Sequence, residues 1–173
     1  MTRKIFLKDY LEPPFQIPQV DLKFHLDFNE TRLTSKITTI GIKEDKAFHL
    51  NIGNELQIHS VKDIRSNQLL KYEIEGSQME IISVAKNPIL EFEITLFPSK
   101  NKALEGIYKA GNLILSQCEA EGFREISPFL DRPDVLSVYS VEIIADINFF
   151  PVLLSNGNLL SSSLKENTRI VKW

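Results

Sequence analysis

Gln117-Cys118-Glu119-Ala120-Glu121-Gly122-Phe123-Arg124 is the stretch of this chain whose residue types and spacing could do chemistry. It leads through a short apolar segment into Leu130-Asp131-Arg132-Pro133-Asp134-Val135, and its charges are interleaved with Cys, Phe, Ile and Leu instead of being clustered. A solvated loop has no need of that mixture. A partly buried segment that presents particular carboxylates and an amide does. On an extended backbone Gln117 and Glu119 point to one side and Cys118 to the other. Cys118 then faces the core, where cysteine is among the most buried residue types. Glu119 would accept charge-assisted hydrogen bonds from an ammonium, and Gln117 would both donate and accept. A structural reading fits the same residues, because acidic groups ahead of a helix favour its N-terminus. Asp131-Arg132-Pro133-Asp134 reads as an acid–base pair locking a turn before a proline.

Other chemistry finds little support. The three histidines, His25, His49 and His59, have no His or Cys at ligand spacing, and they read as sheet residues. There is no His-Glu-x-x-His motif. Cys118 is the single cysteine, which excludes an internal disulfide. The seven glycines are scattered and form no phosphate loop. The expectation is a chain with no metal site and no catalytic residue of its own.

Composition bounds the class. Hydrophobic residues at 43% and charged residues at 25% of 173 describe one globular domain. A net charge of −3, with the basic residues dispersed, gives no nucleic-acid footprint. No stretch reaches the length of a membrane span, and no apolar signal region follows Met1. With one cysteine, these features lead to the expectation of a cytoplasmic protein without membrane or nucleic-acid partners.

The elements that must position the candidate residues are strands. Val20, Leu22, Phe24, Leu26 and Phe28 alternate with polar residues at the period of a half-buried strand. Leu33-Ser35-Ile37 alternates and then slips phase at Thr39-Ile40, which predicts a bulge before Ile42. Phe48-Leu50-Ile52, Leu56-Ile58, Leu70-Tyr72-Ile74, Met79-Ile81 and Leu90-Phe92-Ile94-Leu96 follow, separated by Gly53-Asn54, Gly76-Ser77 and Asn87-Pro88. After position 130 the sequence predicts strands at Tyr139-Val141-Ile143-Ala145, at Val152-Leu153-Leu154 with a hairpin turn at Ser155-Asn156-Gly157-Asn158, and over 168–173. The fold class is all-β, an antiparallel β-sandwich with one short helix near 122–130. Residues 1–16 read as an arm and 17–173 as the sandwich.

At these residues the chain resembles the zinc-dependent M1 family of aminopeptidases, most of all its bacterial aminopeptidase N (alanyl aminopeptidase) branch. The likeness runs through Ala103-Leu104-Glu105-Gly106-Ile107-Tyr108, the run from Gln117 to Arg124, Leu130 to Val135, and Pro151-Val152-Leu153-Leu154-Ser155-Asn156-Gly157-Asn158. Asp9-Tyr10 and Val20-Asp21-Leu22 share it. A Gln usually stands at the Glu119 position in the leukotriene-hydrolase relatives, so Glu119 points to the aminopeptidase side. The resemblance implies a β-sandwich N-terminal domain whose Glu119 binds the free α-ammonium of a peptide substrate and whose Gln117 lines the pocket for the first side chain. It also implies that zinc, the Gly-Ala-Met-Glu-Asn loop and the catalytic tyrosine belong to later domains. On that basis the chain is expected to be a fragment, inactive alone, whose partners are peptides with a free N-terminus and the catalytic domain of the same polypeptide. A non-catalytic β-sandwich interaction module of the same fold is the alternative.

Overall fold

Val20, Leu22 and Phe24 are buried on one face of β1 (Gln16–His25), while Lys23 and His25 face solvent, so the two-residue period of the sequence becomes the two faces of a strand. The computed structural model describes residues 6–83 and 85–173. β1 pairs antiparallel with β2 (Thr31–Ile40), which pairs with β8 (Ile89–Leu96), followed by β4 (Gln57–Asp63) and the short β5 (Gln68–Leu69). On its other side β1 runs parallel to β11 (Val138–Asp146), then come β13 (Thr168–Lys172) and the edge strand β12 (Ser161–Lys165). One parallel pair thus sits within an otherwise antiparallel eight-stranded sheet.

A second sheet of three strands, β3 (Lys46–Asn51), β7 (Gln78–Ser83) and β6 (Tyr72–Glu75), faces the first. Leu33, Ile37, Phe92 and Ile94 of the large sheet meet Leu50, Met79 and Ile81 of the small one in a continuous core. Burying such side chains yields about 1.5–3 kcal/mol each, and this layer is what makes the sandwich stable. β9 (Gly106–Ala110) and β10 (Leu113–Gln117) form a separate hairpin that closes one flank, with Ile107 in the core.

Four details differ from the sequence reading, each for a local reason. Thr39 points inward without a phase slip, because its hydroxyl donates to the Pro88 carbonyl at 2.7 Å. The bulge instead lies in β1, where Gln16 pairs with Ile40 and Gln19 with Thr38, at a place where Pro18 has no amide to offer. The expected strand at Val152-Leu153-Leu154 is an unpaired segment with only Leu153 buried, and the hairpin turn forms later, between Lys165 and Thr168. The short helix is a single 3-10 turn, Phe123–Glu125, because Pro128 disfavours helical backbone at Ser127 and Phe129 bridges to Asn51 instead. The β9–β10 hairpin is an addition to the expected strands, turning at Gly111-Asn112 between apolar residues, with Gly111 at φ +60°.

Of the expected arm, residues 1–5 lie outside the described residues. Beyond them the chain is pinned by Tyr10, whose hydroxyl donates to Asp134 Oδ2 at 2.9 Å, and by Arg132 Nη2 donating to the Leu11 carbonyl at 2.7 Å.

Candidate functional site

β10 delivers the candidate run. The strand ends at Gln117, and the alternation carries on for two more residues: Gln117 and Glu119 are exposed while Cys118 is half-buried and packs against the core. Burial pushes the Cys118 thiol up to about 11, so it stays protonated and inert as a nucleophile at neutral pH. Gln117 Nε2 donates to the Glu119 carbonyl at 3.2 Å, which ties the two exposed residues together.

The chain then turns tightly. The Gly122 amide donates to the Cys118 carbonyl at 2.8 Å, and Glu121 adopts the left-handed φ of 61°. Such a backbone costs on the order of 1 kcal/mol for a residue with a side chain, so its surroundings must hold it. Arg124 supplies the hold. Its Nη2 contacts Glu121 Oε2 at 3.3 Å, its Nε donates to Asp131 Oδ2 at 3.0 Å and Nη2 also donates to the Asp131 carbonyl at 3.1 Å. Asp131 Oδ2 accepts from the Arg124 amide too, at 3.0 Å.

This knot is anchored to the small sheet. The Asn51 amide donates to the Phe129 carbonyl at 2.7 Å, the Phe129 amide returns a bond at 3.0 Å, and Asn51 Oδ1 accepts from the Asp131 amide at 3.0 Å. The Gly53 amide donates to the Arg124 carbonyl at 2.8 Å. Phe123 stacks edge-on against Phe129 and Tyr139, and Ser127 Oγ donates to Ser35 Oγ at 2.7 Å deep in the core.

The electrostatic outcome is asymmetric. Arg124 engages Glu121 and Asp131, and the neighbouring Arg132 engages Asp134 at 2.6 Å. Glu119 forms no ion pair among the described residues and projects to solvent. Helix capping does not occupy it either, since the 3-10 turn at Phe123–Glu125 has no side-chain cap. Gln117 and Glu119 therefore stand together on the exposed side of the run, with the Glu119 carboxylate unpaired among the described residues.

Two grooves flank the run without including either residue. A groove of about 660 Å³ lies on the Arg124 side, lined by Lys46, His49, Glu121, Arg124, Asp131 and Arg132. An apolar one of about 500 Å³ lies beneath Cys118, between Phe24, Ile107, Ile114, Phe123, Tyr139 and Leu154. Among the described residues no His, Cys, Asp and Glu side chains converge in a way that would hold a metal ion, and His59 Nε2 is already engaged with Thr95 Oγ1 at 2.8 Å. The residues present do not fit zinc. No helix among the described residues is long and apolar enough to cross a membrane.

The chain as a whole has counterparts among known proteins. The profile of the Peptidase M1 N-terminal domain matches residues 17–173. Aminopeptidase N of Escherichia coli is 38% identical over 167 residues, covering 95% of this chain and 19% of that protein. Aminopeptidase N of Caulobacter vibrioides is 39% identical over 172 residues, covering 96% of this chain and 20% of that protein. The chain thus spans about a fifth of the length of these relatives. Among solved structures, Legionella pneumophila aminopeptidase A in complex with aspartic acid superimposes with a TM-score of 0.79 at 28% identity, over 96% of this chain and 20% of that one. An M1 zinc metallopeptidase of Deinococcus radiodurans shares the fold, with a TM-score of 0.73 at 11% identity, over 92% of this chain and 38% of that one. The match over residues 17–173 and these likenesses have one reading: the chain belongs to the Peptidase M1 N-terminal domain family.

Proposed function

We propose that this chain is the substrate-recognising N-terminal domain of a zinc-dependent aminopeptidase that removes N-terminal residues from peptides. Glu119 receives the free α-ammonium of the substrate, and Gln117 lines the pocket for the first side chain. The observation that carries this reading is the unpaired Glu119 carboxylate, exposed on a loop closed by the Gly122–Cys118 backbone bond and bordered by the Arg124–Asp131 pair. An unpaired carboxylate gives up no ion pair when a cation docks, and its place on the run would set the distance from the chain terminus to the scissile bond.

The remaining four-fifths of such a protein supplies the rest. A zinc ion held there, by residues outside this chain, would supply Lewis-acid polarisation of the scissile carbonyl and an activated water. The names of the relatives, aminopeptidase N and M1 zinc metallopeptidase, support that assignment for the whole polypeptide. This domain alone binds no zinc and turns over no substrate in this account, and the full enzyme works in the cytoplasm on peptides with a free N-terminus.

The test is Glu119→Ala in the full-length enzyme, assayed on an aminoacyl anilide. Removing one partner of a desolvated charge pair costs about 2–5 kcal/mol, so kcat/KM falls by about thirtyfold or more while zinc content is unchanged. Kinetics within about twofold of the parent enzyme would remove Glu119 from the role.

A further inference from the structure

Glu125 is set apart from the other acids of the run by what it touches. Two glycines from different elements close on it. A Cβ placed on Gly53 would overlap the Glu125 carboxylate and stand 2.8 Å from Glu125 Cα. A Cβ on Gly106 would stand 2.6 Å from Glu125 Cβ and 2.9 Å from its carbonyl oxygen. Side chains do not approach that closely, so both positions need glycine, and Gly106 needs it twice over with φ at +68°.

The two glycines are themselves fixed. Gly53 follows Ile52 at the end of β3, and Gly106 opens β9 ahead of Ile107; Ile52 and Ile107 are both in the core. The Gly53 amide bond to the Arg124 carbonyl draws Glu125 into the gap. The root of Glu125 is therefore a wedge between the small sheet and the β9–β10 hairpin. From that wedge the chain runs back through the closed turn at 118–122 to Glu119.

The charges around the wedge come from every side. Arg124 neighbours it in sequence and acts on it as a cation, Glu105 and Glu55 act on it through space as anions, and the Asn54 amide serves it as a donor. Burial first, and then Glu105, raises the Glu125 carboxyl above the ordinary glutamate range.

We propose that Glu125 is a positioning residue for the recognition run, wedged between Gly53 and Gly106 so that Gln117 and Glu119 stand at a set place relative to both sheets. This rests on the role given to Glu119 above. Glu125 touches no substrate in this account; it acts through the backbone that carries Glu119. A glutamine fills the same space and keeps the set, whereas an alanine keeps the root against Gly106 but removes the carboxylate end that fills the space over Gly53.

The experiment uses the full-length, zinc-loaded enzyme and an aminoacyl anilide, comparing Glu119→Ala, Glu125→Ala, Glu125→Gln and the double variant Glu119→Ala/Glu125→Ala. A displacement near 1 Å costs up to about a hundredfold, so Glu125→Ala is expected to raise KM by about tenfold with kcat within about twofold. Glu125→Gln stays within about twofold of the parent. The double variant matches Glu119→Ala, since a residue acting through Glu119 has nothing left to position. Parental kinetics for Glu125→Ala, equal damage in Glu125→Gln, or multiplied losses in the double variant would overturn the proposal while leaving Glu119 in place. Normal kinetics for Glu119→Ala would overturn the recognition reading and this inference with it. If Glu125→Ala does not fold, Glu125→Asp, which withdraws the carboxyl by one methylene, carries the same comparison.

Discussion

Gly122 stands so close over Cys118 that a Cβ on it would lie 2.9 Å from Cys118 Cα, and its amide closes onto the Cys118 carbonyl at 2.8 Å. Glu119, Ala120 and Glu121 are looped out between them. The close approach, not backbone conformation, demands glycine here, since Gly122 has φ −98°, which any residue adopts. Gly122→Ala is therefore expected to open the turn and destabilise the chain by about 1–3 kcal/mol, as overpacked sites do. Urea denaturation measures it, and an unchanged midpoint would mean that the turn yields freely.

Cys118 offers a check on burial. With its thiol at about 11, only about one molecule in a thousand carries thiolate at pH 8, against roughly a quarter for an ordinary cysteine. Iodoacetamide at pH 8 is expected to label Cys118 far more slowly than a free thiol, and at ordinary speed once denaturant unfolds the chain. The raised pKa favours the fold fully below the ordinary thiol range, and that contribution fades as pH rises toward 11. Fast labelling of the native protein would contradict the packing described for β10.

Asp131 and Glu142 separate buried from exposed ion pairing. Asp131 accepts from both the amide and the Nε of Arg124, and its side chain is only 11% exposed. Asp131→Ala should cost about 2–3 kcal/mol and change little between low and high salt.

Glu142, by contrast, joins β1, β11 and β13 through Lys23 at 3.2 Å and Lys172 at 2.9 Å, with both lysines about half exposed. Glu142→Gln should have a small effect that shrinks further in high salt. Lys172, and then Lys23, lower the Glu142 carboxyl, so its contribution is present above the ordinary glutamate pKa and is lost as pH falls below it. Stability curves at two salt concentrations read both variants, and equal salt sensitivity would contradict the distinction.

Strands with one buried face were legible because alternation and burial coincide. β1 from Val20 onward and β8 put apolar residues on every second position, and β2 and β7 keep the same period with Leu33, Ile37, Met79 and Ile81 although Thr31, Ser35, Thr39 and Ser83 fill their other inward places. Val152-Leu153-Leu154 misled because three adjacent apolar residues do not alternate, and only one of them is buried. The β9–β10 hairpin was hard to see because it leaves Leu113 and Leu115 exposed and sends only Ile107 fully into the core. In the candidate site, the opposite facing of Cys118 against Gln117 and Glu119 followed from a two-residue period and needed no partner. The approach of Gly53 and Gly106 to Glu125 could not be read that way, because it depends on residues that folding brings together from separate elements.

The amine recognition proposed for Glu119 is read most directly by discrimination between matched inhibitors of the full-length enzyme. One inhibitor carries an α-amino group and the other has hydrogen in its place. The parent enzyme is expected to prefer the amine by about thirtyfold or more, and Glu119→Ala to bring the two inhibition constants within about threefold. An amine preference that survives Glu119→Ala undiminished would contradict the account.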